Sequence, residues 1–262
     1  MKLVRHAVEK PWGRTDLSDG GGRRIGEIWF EAPDGRNLPL LVKHIFTSEK
    51  LSVQVHPNDA QARARGLPNG KSECWFILRA EPGAVLGLGF KEPIRKEEMR
   101  QAALDGSIEK LMDWKPVRAG DFFYVPAGTV HAIGADLSLI EVQQQSDTTY
   151  RLYDYGRPRE LHLDDGVDVA EGGSYPEGCA SHIENGERGV LVKGPHFTLL
   201  YVGDGKTDKL ADRQRWAIPI SGTVTCDGEQ AAPGECLLIE PGRGISGDGP
   251  FLLAANGPQA SH

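Results

Sequence analysis

The sequence predicts an all-β protein of two barrels or sandwiches, joined by a loop and interrupted by one short helical insertion. Short runs rich in valine, isoleucine and aromatic residues recur along the chain, and glycine, proline and aspartate separate them, as in all-β folds. With 262 residues the chain is too long for one ordinary barrel and suits two small ones, or one with insertions; two units are the default prediction. A turn-and-strand pattern that begins at Gly120 returns near Pro233, which indicates a duplicated unit.

The predicted strands are EIWFEA, PLLVKHIF, LSVQVH, CWFILRA, GDFFYVP, LIEVQQ, FTLLYV, AIPISGTVTC and ECLLIEP. Between residues 92 and 114, apolar residues recur at helical spacing, so we expect two short helices divided by Gly106 and packed beside the first barrel. Residues 164–189 are rich in glycine, aspartate, glutamate and serine, which predicts a connecting loop. The predicted domains are therefore 1–163 and 190–262.

Composition and charge exclude several classes of protein. Lysine and arginine number 30 against 37 aspartates and glutamates, a net charge of −7 without a clustered basic face, which argues against non-specific binding to nucleic acid or anionic membranes. The chain begins without an apolar leader and lacks the apolar run of about 18 residues that a membrane span needs. Its 4 cysteines form no C-x-x-C pair. We expect reduced thiols in a cytoplasmic protein, although the sequence leaves one disulfide open.

The segment LSVQVHP predicts a strand with one unusually polar face. Successive strand side chains point to opposite faces, so Ser52, Gln54 and His56 share one side while Val53 and Val55 occupy the other. Because the valines already supply the apolar side, the polar side is expected to line a ligand cavity.

The segment GDFFYVPAGTVH sets glycine, proline, glycine and histidine at the spacing by which a small β-barrel directs a histidine at a bound metal. Zinc and related ions take imidazole nitrogen and carboxylate oxygen, and a catalytic site leaves one position open. Gln54, His56, Glu73 and His131 fit that description. On the GKSECW strand Lys71 shares the face of Glu73, whereas Cys74 is expected on the apolar side.

Further polar residues follow in LIEVQQQSDTTYRLYDYGR, which supplies the carboxylates of Glu141 and Asp147 and then the permanent cation of Arg151. Two alternatives stay open here: Lys71 only neutralises the Glu73 carboxylate, and Arg151 packs on a neighbouring tyrosine at the surface. The remaining strand and loop histidines are interpreted as satisfied or half-exposed structural residues: His44, His162, His182 and His196.

The second copy of the turn pattern, PGECLLIEPGRGIS, carries Ser246 where the first carries His131. This repeat therefore keeps the strand and turn spacing without an imidazole for a metal, which favours a scaffold role. The alternative is a second small-molecule pocket served by Arg243.

These motifs carry a resemblance to a known family. The turn Gly120, Pro126, Gly128 and His131 resembles the second cupin signature, and the ordered set KPWG, SVQVHP, GKSE, PAGTVHA and EVQQQSDTTYRLYDYGR closely resembles the cupin-type, class I mannose-6-phosphate isomerases in their short bacterial form. The match spans Lys10 to His162. It implies a double-stranded β-helix (cupin or jelly-roll) barrel that carries the site. Together with the repeated turn pattern, this predicts a degenerate cupin-like β-barrel at the C-terminus.

The resemblance also implies one zinc ion per chain, with the ligands Gln54, His56, Glu73 and His131. The implied partner is a small-molecule sugar phosphate, bound by a monomer or homodimer with no role for nucleic acid or membrane. The implied reaction interconverts mannose 6-phosphate and fructose 6-phosphate through a cis-enediol(ate). Such a reaction needs a base, a charge stabiliser and a phosphate anchor.

Residues of the chain are available for each of those roles. Lys71 and Arg151 suit the stabilisation of anionic oxygens, and Ser52 suits the phosphate. Glu141, Asp147 or a metal-bound water are candidates for the base, and Glu141 is favoured. Two rival functions stay open, a non-haem-iron cupin dioxygenase and a non-catalytic sugar-binding cupin.

Overall fold

A computed structural model of the chain describes residues 1–17, 20–184 and 189–257. Its first strands are β1 (Val4–Arg14), β2 (Ile25–Glu31), β3 (Leu40–Phe46), β4 (Val53–Val55), β5 (Glu73–Ala80), β6 (Val85–Phe90), β7 (Met112–Pro116), β8 (Asp121–Val125), β9 (His131–Ile133), β10 (Leu137–Gln144), β11 (Tyr150–Tyr153) and β12 (Ala180–His182). The remaining strands are β13 (Gly189–Lys193), β14 (Phe197–Val202), β15 (Gly205–Thr207), β16 (Arg215–Pro219), β17 (Val224–Cys226), β18 (Glu229–Ala231), β19 (Leu237–Ile239), β20 (Ile245–Gly247) and β21 (Phe251–Asn256). The helices are α1 (Asp59–Ala64), α2 (Lys96–Asp105), α3 (Ile108–Leu111) and α4 (Leu163–Val169).

The strands β1 to β12 form two antiparallel sheets, which we call the N-terminal unit. One sheet has the order β1-β2-β3-β10-β5-β8-β12, and the other has the order β11-β4-β9-β6-β7. Neighbouring strands are mostly distant in sequence, as in a jelly roll rather than a meander. The predicted all-β architecture is confirmed.

The predicted helical insertion is also confirmed. Helix α2 ends at Gly106, whose φ of 79° is left-handed, and α3 begins two residues later. Glycine terminates helices in this conformation because it has no Cβ to clash. The apolar face of the insertion, with Met99, Ala103 and Ile108, is buried against Leu152 of β11 and Val167 of α4.

The segment 164–189 contains more regular structure than the predicted loop. Helix α4 covers its start, and β12 pairs with β8, while residues 185–188 lie outside the described residues. A helix of seven residues is too short to form without tertiary support. Here the burial of Val167 and Val169 supplies that support. In the sequence, these two valines stand among glycine and aspartate residues, so no helical pattern is visible.

The strands β13 to β21 form the C-terminal unit, with sheet orders β13-β14-β21-β16-β19 and β15-β20-β17-β18. Its five-stranded sheet packs on the seven-stranded sheet of the N-terminal unit, where Leu199 and Trp216 share a core with Phe76 and Val142. Cys74 is buried in this same core, on the side of β5 away from the cavity, as predicted. All four cysteines are free, which also agrees with the prediction.

Within the described ranges, no helix combines the length and the apolar character that crossing a bilayer requires.

Candidate active site

Three buried residues from separate segments converge between the two sheets of the N-terminal unit. The side-chain ligand atoms of His56, Glu73 and His131 all lie within 4.8 Å of one another, and each of these side chains is only 1% exposed. His56 Nε2 lies 3.4 Å from Glu73 Oε2, and His131 Nε2 lies 3.3 Å from Glu73 Oε1. The structure therefore brings together three of the four predicted metal ligands.

The turn before β9 sets the direction of His131. Gly128 has a φ of 90°, which side-chain-bearing residues rarely adopt, and its N–H donates to the His56 carbonyl at 2.9 Å. The same turn therefore ties the two histidine segments together before the chain enters β9.

Both histidines are held in the tautomer that a metal requires. The Nδ1 atom of His56 lies 2.9 Å from the Thr148 carbonyl, and that of His131 lies 2.9 Å from the Thr129 carbonyl. A carbonyl only accepts, so each Nδ1 carries the proton and each Nε2 keeps its lone pair. Both lone pairs are thus available where the Glu73 carboxylate lies.

The surroundings of Glu73 indicate that the group of His56, Glu73 and His131 suits a bound cation. Its two oxygens are fully buried, yet neither accepts a hydrogen bond of good geometry among the described residues. A buried carboxylate is unfavourable unless positive charge lies beside it, and the Lys71 ammonium, 3.0 Å from Oε2, supplies part of that charge. Two imidazole nitrogens and a carboxylate are the donor set that zinc takes, so these residues fit that ion.

Gln54 is adjacent to this group through the pairing of β4 with β9. Its Cα is in register with that of His131, and its Nε2 lies 3.2 Å from His131 Nε2. Ser52 Oγ donates to Gln54 Oε1 at 3.1 Å. Because the oxygen and nitrogen of an amide exchange places on rotation, Gln54 can present its oxygen at the same position.

Lys71 carries the positive charge closest to the Glu73 carboxylate. Its Nζ lies 3.0 Å from Glu73 Oε2 and 3.1 Å from His56 Nε2, with the side chain only 4% exposed. Burial and the Lys71 charge lower the pKa of His56 to about 3. Although burial opposes it, attraction to the Lys71 ammonium holds the pKa of Glu73 well below its usual range. Burial also lowers the pKa of His131. Both imidazoles are therefore neutral and the carboxylate is ionised, as metal binding requires.

Glu141 lies in a row of side chains across the seven-stranded sheet. The register places Trp29 opposite Lys43, Lys43 opposite Glu141 and Glu141 opposite Trp75. Lys43 Nζ lies 3.1 Å from Glu141 Oε2, and Trp75 Nε1 donates to Oε1 at 3.1 Å. Burial, followed by repulsion from Glu73, raises the pKa of Glu141. The sheet thus fixes a buried carboxylate whose proton affinity is increased.

A polar cavity of about 400 Å³ adjoins the metal-binding group. Its wall contains every predicted substrate or catalytic residue together with one predicted ligand: Ser52, Gln54, Lys71, Glu141, Asp147 and Arg151. Gln54 and Lys71 contact the histidines and also line the cavity, so they connect the cavity with the metal-binding group.

The cavity wall also contains residues to which the sequence interpretation gave no role: Lys10, Trp12, Glu27, Trp29, Lys43, Arg159, Glu160 and His162. His162, interpreted from sequence as structural, lines the cavity, and its Nδ1 accepts the backbone N–H of Arg151 at 3.2 Å. One feature of the sequence could have indicated this part of the cavity wall: Lys43 is a charged residue inside the apolar run LLVKHIF.

Two arginines, Arg151 and Arg159, line this cavity. Arg159 is held by the buried Asp154 carboxylate through Nε at 2.6 Å and Nη2 at 2.7 Å. Arg151 donates through Nη1 to the Glu160 carbonyl at 3.2 Å. Burial and then repulsion from Arg159 lower the pKa of Arg151, because the two cations are close together. Neighbouring guanidinium groups of this kind favour an anionic ligand.

The C-terminal unit carries no comparable group. Across residues 1–17, 20–184 and 189–257, His56, Glu73 and His131 are the one cluster of histidine, cysteine and carboxylate side chains found with metal-binding spacing. Ser246 lies in β20, and Arg243 pairs with Asp227 at 3.4 Å. The scaffold role of this unit and its alternative, a second small-molecule pocket, both stay predictions.

Sequence relatives of the chain share one name, although no known protein-family model matches it. It is 43% identical over 170 residues to the mannose-6-phosphate isomerase of Streptococcus mutans, a match covering 62% of this chain and 54% of that protein. It is 41% identical over 237 residues to mannose-6-phosphate isomerase ManA of Bacillus subtilis, covering 73% of this chain and 75% of that protein. The chain therefore spans about half the length of the first relative and three quarters of the second.

Solved structures show the same fold. A crystal structure of mannose 6-phosphate isomerase from Bacillus subtilis superimposes with a TM-score of 0.76 at 26% identity, covering 97% of this chain and 98% of that one. A mannose 6-phosphate isomerase bound with zinc and yttrium gives a TM-score of 0.74 at 16% identity, covering 98% and 99% of the two chains. The second match concerns the fold alone. Both units of the chain are thus present in proteins of known structure.

Proposed function

The chain belongs to the mannose-6-phosphate isomerase family, and we propose that it is a metal-dependent aldose-ketose isomerase that interconverts mannose 6-phosphate and fructose 6-phosphate. The buried group of His56, Glu73 and His131, adjoining a cavity lined with charged residues, carries this proposal. The cavity wall offers many hydrogen-bonding groups and little apolar surface, which suits a sugar phosphate.

The proposed metal is one zinc ion per chain. Its ligands would be Nε2 of His56 and His131, the Glu73 carboxylate and the Gln54 amide oxygen. When bound, zinc supplies a Lewis acid that stabilises negative charge on substrate oxygens. The neutral imidazoles, the ionised carboxylate and the zinc bound in a relative of the same fold support this assignment.

Glu141 is the proposed base that moves the proton between C1 and C2 of the sugar. The carboxylate is fixed by Lys43 and Trp75, so it does not need to reorganise before it accepts a proton. Its raised pKa also increases its strength as a base in the ionised form. Asp147 lines the same cavity and is the alternative base.

The cations of the cavity are proposed to hold the anionic oxygens. Lys71 lies nearest the metal-binding group, so its ammonium would stabilise charge that develops on O1 and O2. Arg151 and Arg159 would bind the phosphate, because a guanidinium keeps its proton and bonds oxyanions in pairs. Ser52 would contribute its hydroxyl at the phosphate, although in the structure that hydroxyl donates to Gln54.

We expect Arg159→Gln to raise the KM for mannose 6-phosphate at least about tenfold with a smaller effect on kcat. A charge-assisted hydrogen bond contributes about 1.5–3 kcal/mol, and about 1.4 kcal/mol corresponds to a factor of ten. Arg157→Gln is the matched control, because Arg157 also pairs with Asp154, at 3.0 Å, but does not line the cavity. Steady-state kinetics that show equal KM values for both variants would remove Arg159 from the phosphate site.

A coupled assay tests the function itself. The protein should form fructose 6-phosphate from mannose 6-phosphate, lose this activity on dialysis against a chelator and regain it with zinc. The isomerisation needs no oxygen, so anaerobic turnover separates this function from that of a non-haem-iron dioxygenase. Full activity in the metal-free protein, or no hexose phosphate turnover in the zinc-loaded protein, would contradict the proposal.

We further propose a cytoplasmic protein that is a monomer or homodimer and has its domain boundary within residues 164–189, after β12. The free cysteines agree with a reducing compartment. Light scattering at several protein concentrations would determine the oligomeric state, and limited proteolysis would map the boundary.

A further inference from the structure

The loop between β4 and β5 joins two metal-ligating segments and carries Lys71 near its end. It leaves the site at His56, forms helix α1 and returns through Gly70, Lys71 and Ser72 to Glu73. The position of the Lys71 ammonium therefore depends on how the returning backbone is held.

Asp59 holds that backbone immediately before Lys71. Its Oδ1 accepts the Gly70 N–H at 2.8 Å and the side-chain amide of Gln144 at 2.9 Å. The Lys71 N–H donates to the Pro57 carbonyl at 2.9 Å. A Cβ on Gly70 would lie 2.5 Å from the Asn58 carbonyl carbon, so the two ends of the loop are in direct contact.

Gln144 holds the backbone immediately after Lys71. Its side-chain Oε1 accepts the Ser72 N–H at 2.9 Å, and its backbone N–H donates to the Ser72 carbonyl at 3.1 Å. Gln144 ends β10, the strand that also carries Glu141. One buried side chain thus connects Asp59, the backbone beside Lys71 and the strand of the proposed base.

Capping of helix α1 does not account for Asp59. The N-cap is Asn58, whose side chain accepts from the Gln61 N–H while Gln61 accepts from the Asn58 N–H, so a complete capping box is present without Asp59. The second Asp59 oxygen lies 3.7 Å from His196 Nδ1, at the outer limit of an ion pair. The close bonds of the Asp59 carboxylate are directed to the returning loop and to Gln144.

We propose that Asp59 and Gln144 are positioning residues, which fix the backbone on both sides of Lys71 and thereby hold its ammonium against Glu73 and His56. This inference rests on the proposed function for its catalytic consequence. Its structural consequence, the placement of Glu73 directly after Ser72, does not depend on the reaction.

The test compares Asp59→Ala, Asp59→Asn and the control Gln61→Ala. Loss of an outer partner of a metal site typically reduces metal affinity or activity by about 10–100-fold. Asp59→Ala should show a reduction of that size in kcat and in zinc affinity with little change in KM. Asp59→Asn keeps an oxygen that can accept both bonds, so it should restore most of each loss. Gln61→Ala breaks the capping box without contacting residues 70–72 and should leave kcat and zinc affinity unchanged.

Zinc affinity, measured by competition with a chelating dye, keeps this test independent of the isomerase assay. The cobalt(II) absorption spectrum should also change in Asp59→Ala and return in Asp59→Asn. If Asp59→Ala does not fold, Gln144→Glu tests the same link, because it removes the donor to Asp59 and sets two carboxylates together. Unchanged zinc affinity and kcat in Asp59→Ala, equal losses in Gln61→Ala, or no recovery in Asp59→Asn would overturn the proposal. A wild-type protein without isomerase activity would instead contradict the proposed function.

Discussion

Replacing His131 by alanine is expected to abolish both zinc binding and isomerase activity. His131 supplies one of two lone-pair nitrogens that face the Glu73 carboxylate, 3.3 Å away, so its loss leaves a single imidazole beside that carboxylate. Removal of an outer partner alone costs about 10–100-fold, and loss of a direct ligand should exceed that range in zinc affinity and in kcat/KM. Metal analysis of the purified variant and the coupled assay measure the two effects.

The matched control for this change is His182→Ala. His182 lies in β12, where its Nδ1 is 2.7 Å from Asp121 Oδ1, and it does not line the cavity. The variant therefore removes an imidazole without removing a metal ligand. It should retain zinc and activity. His131 is buried, so the thermal midpoint and circular dichroism spectrum of His131→Ala must show that it folds. A folded His131→Ala protein with full zinc content and wild-type kcat/KM would remove this residue from the site.

The strand pattern made much of the site predictable from sequence. Alternation in LSVQVHP placed Gln54 and His56 opposite Val53 and Val55, and the structure buries both valines in an apolar core. Turn chemistry in PAGTVH likewise predicted the inward direction of His131, because Gly128 adopts the left-handed conformation that the turn requires. Such features are local, so neighbouring residues are sufficient to reveal them.

The far wall of the cavity was not predictable in the same way. Lys43 and Glu27 reach the cavity through strand pairings between distant segments, and no local pattern states which strands become neighbours. Helix α1 is a different case. Asn58 and Gln61 form a capping box, a spacing visible in the sequence, but the helix is only six residues long and lacks an apolar stripe.

Glu141→Gln should remove most of the isomerase activity while leaving zinc bound. The amide preserves the shape of the carboxylate next to Lys43 and Trp75 but does not accept the proton that moves between C1 and C2. Loss of a general base typically costs about 10²–10⁴-fold in rate. The variant should therefore combine normal zinc content with a kcat reduced by that amount. A kcat close to that of the wild type would transfer the role of base to Asp147.

The pH profile of Lys43→Met is a second test of Glu141 as the base. Burial and Glu73 raise the pKa of Glu141, whereas Lys43 lowers it. A base acts when ionised, so activity falls as the pH drops through that pKa, and removal of Lys43 raises the pKa further. The acidic limb of kcat/KM should therefore move to higher pH in Lys43→Met. Lys10→Met should leave this limb in place, because Lys10 pairs with Glu27 at 3.2 Å rather than with Glu141. An acidic limb that stays fixed in a folded Lys43→Met enzyme would mean that a group other than Glu141 controls it.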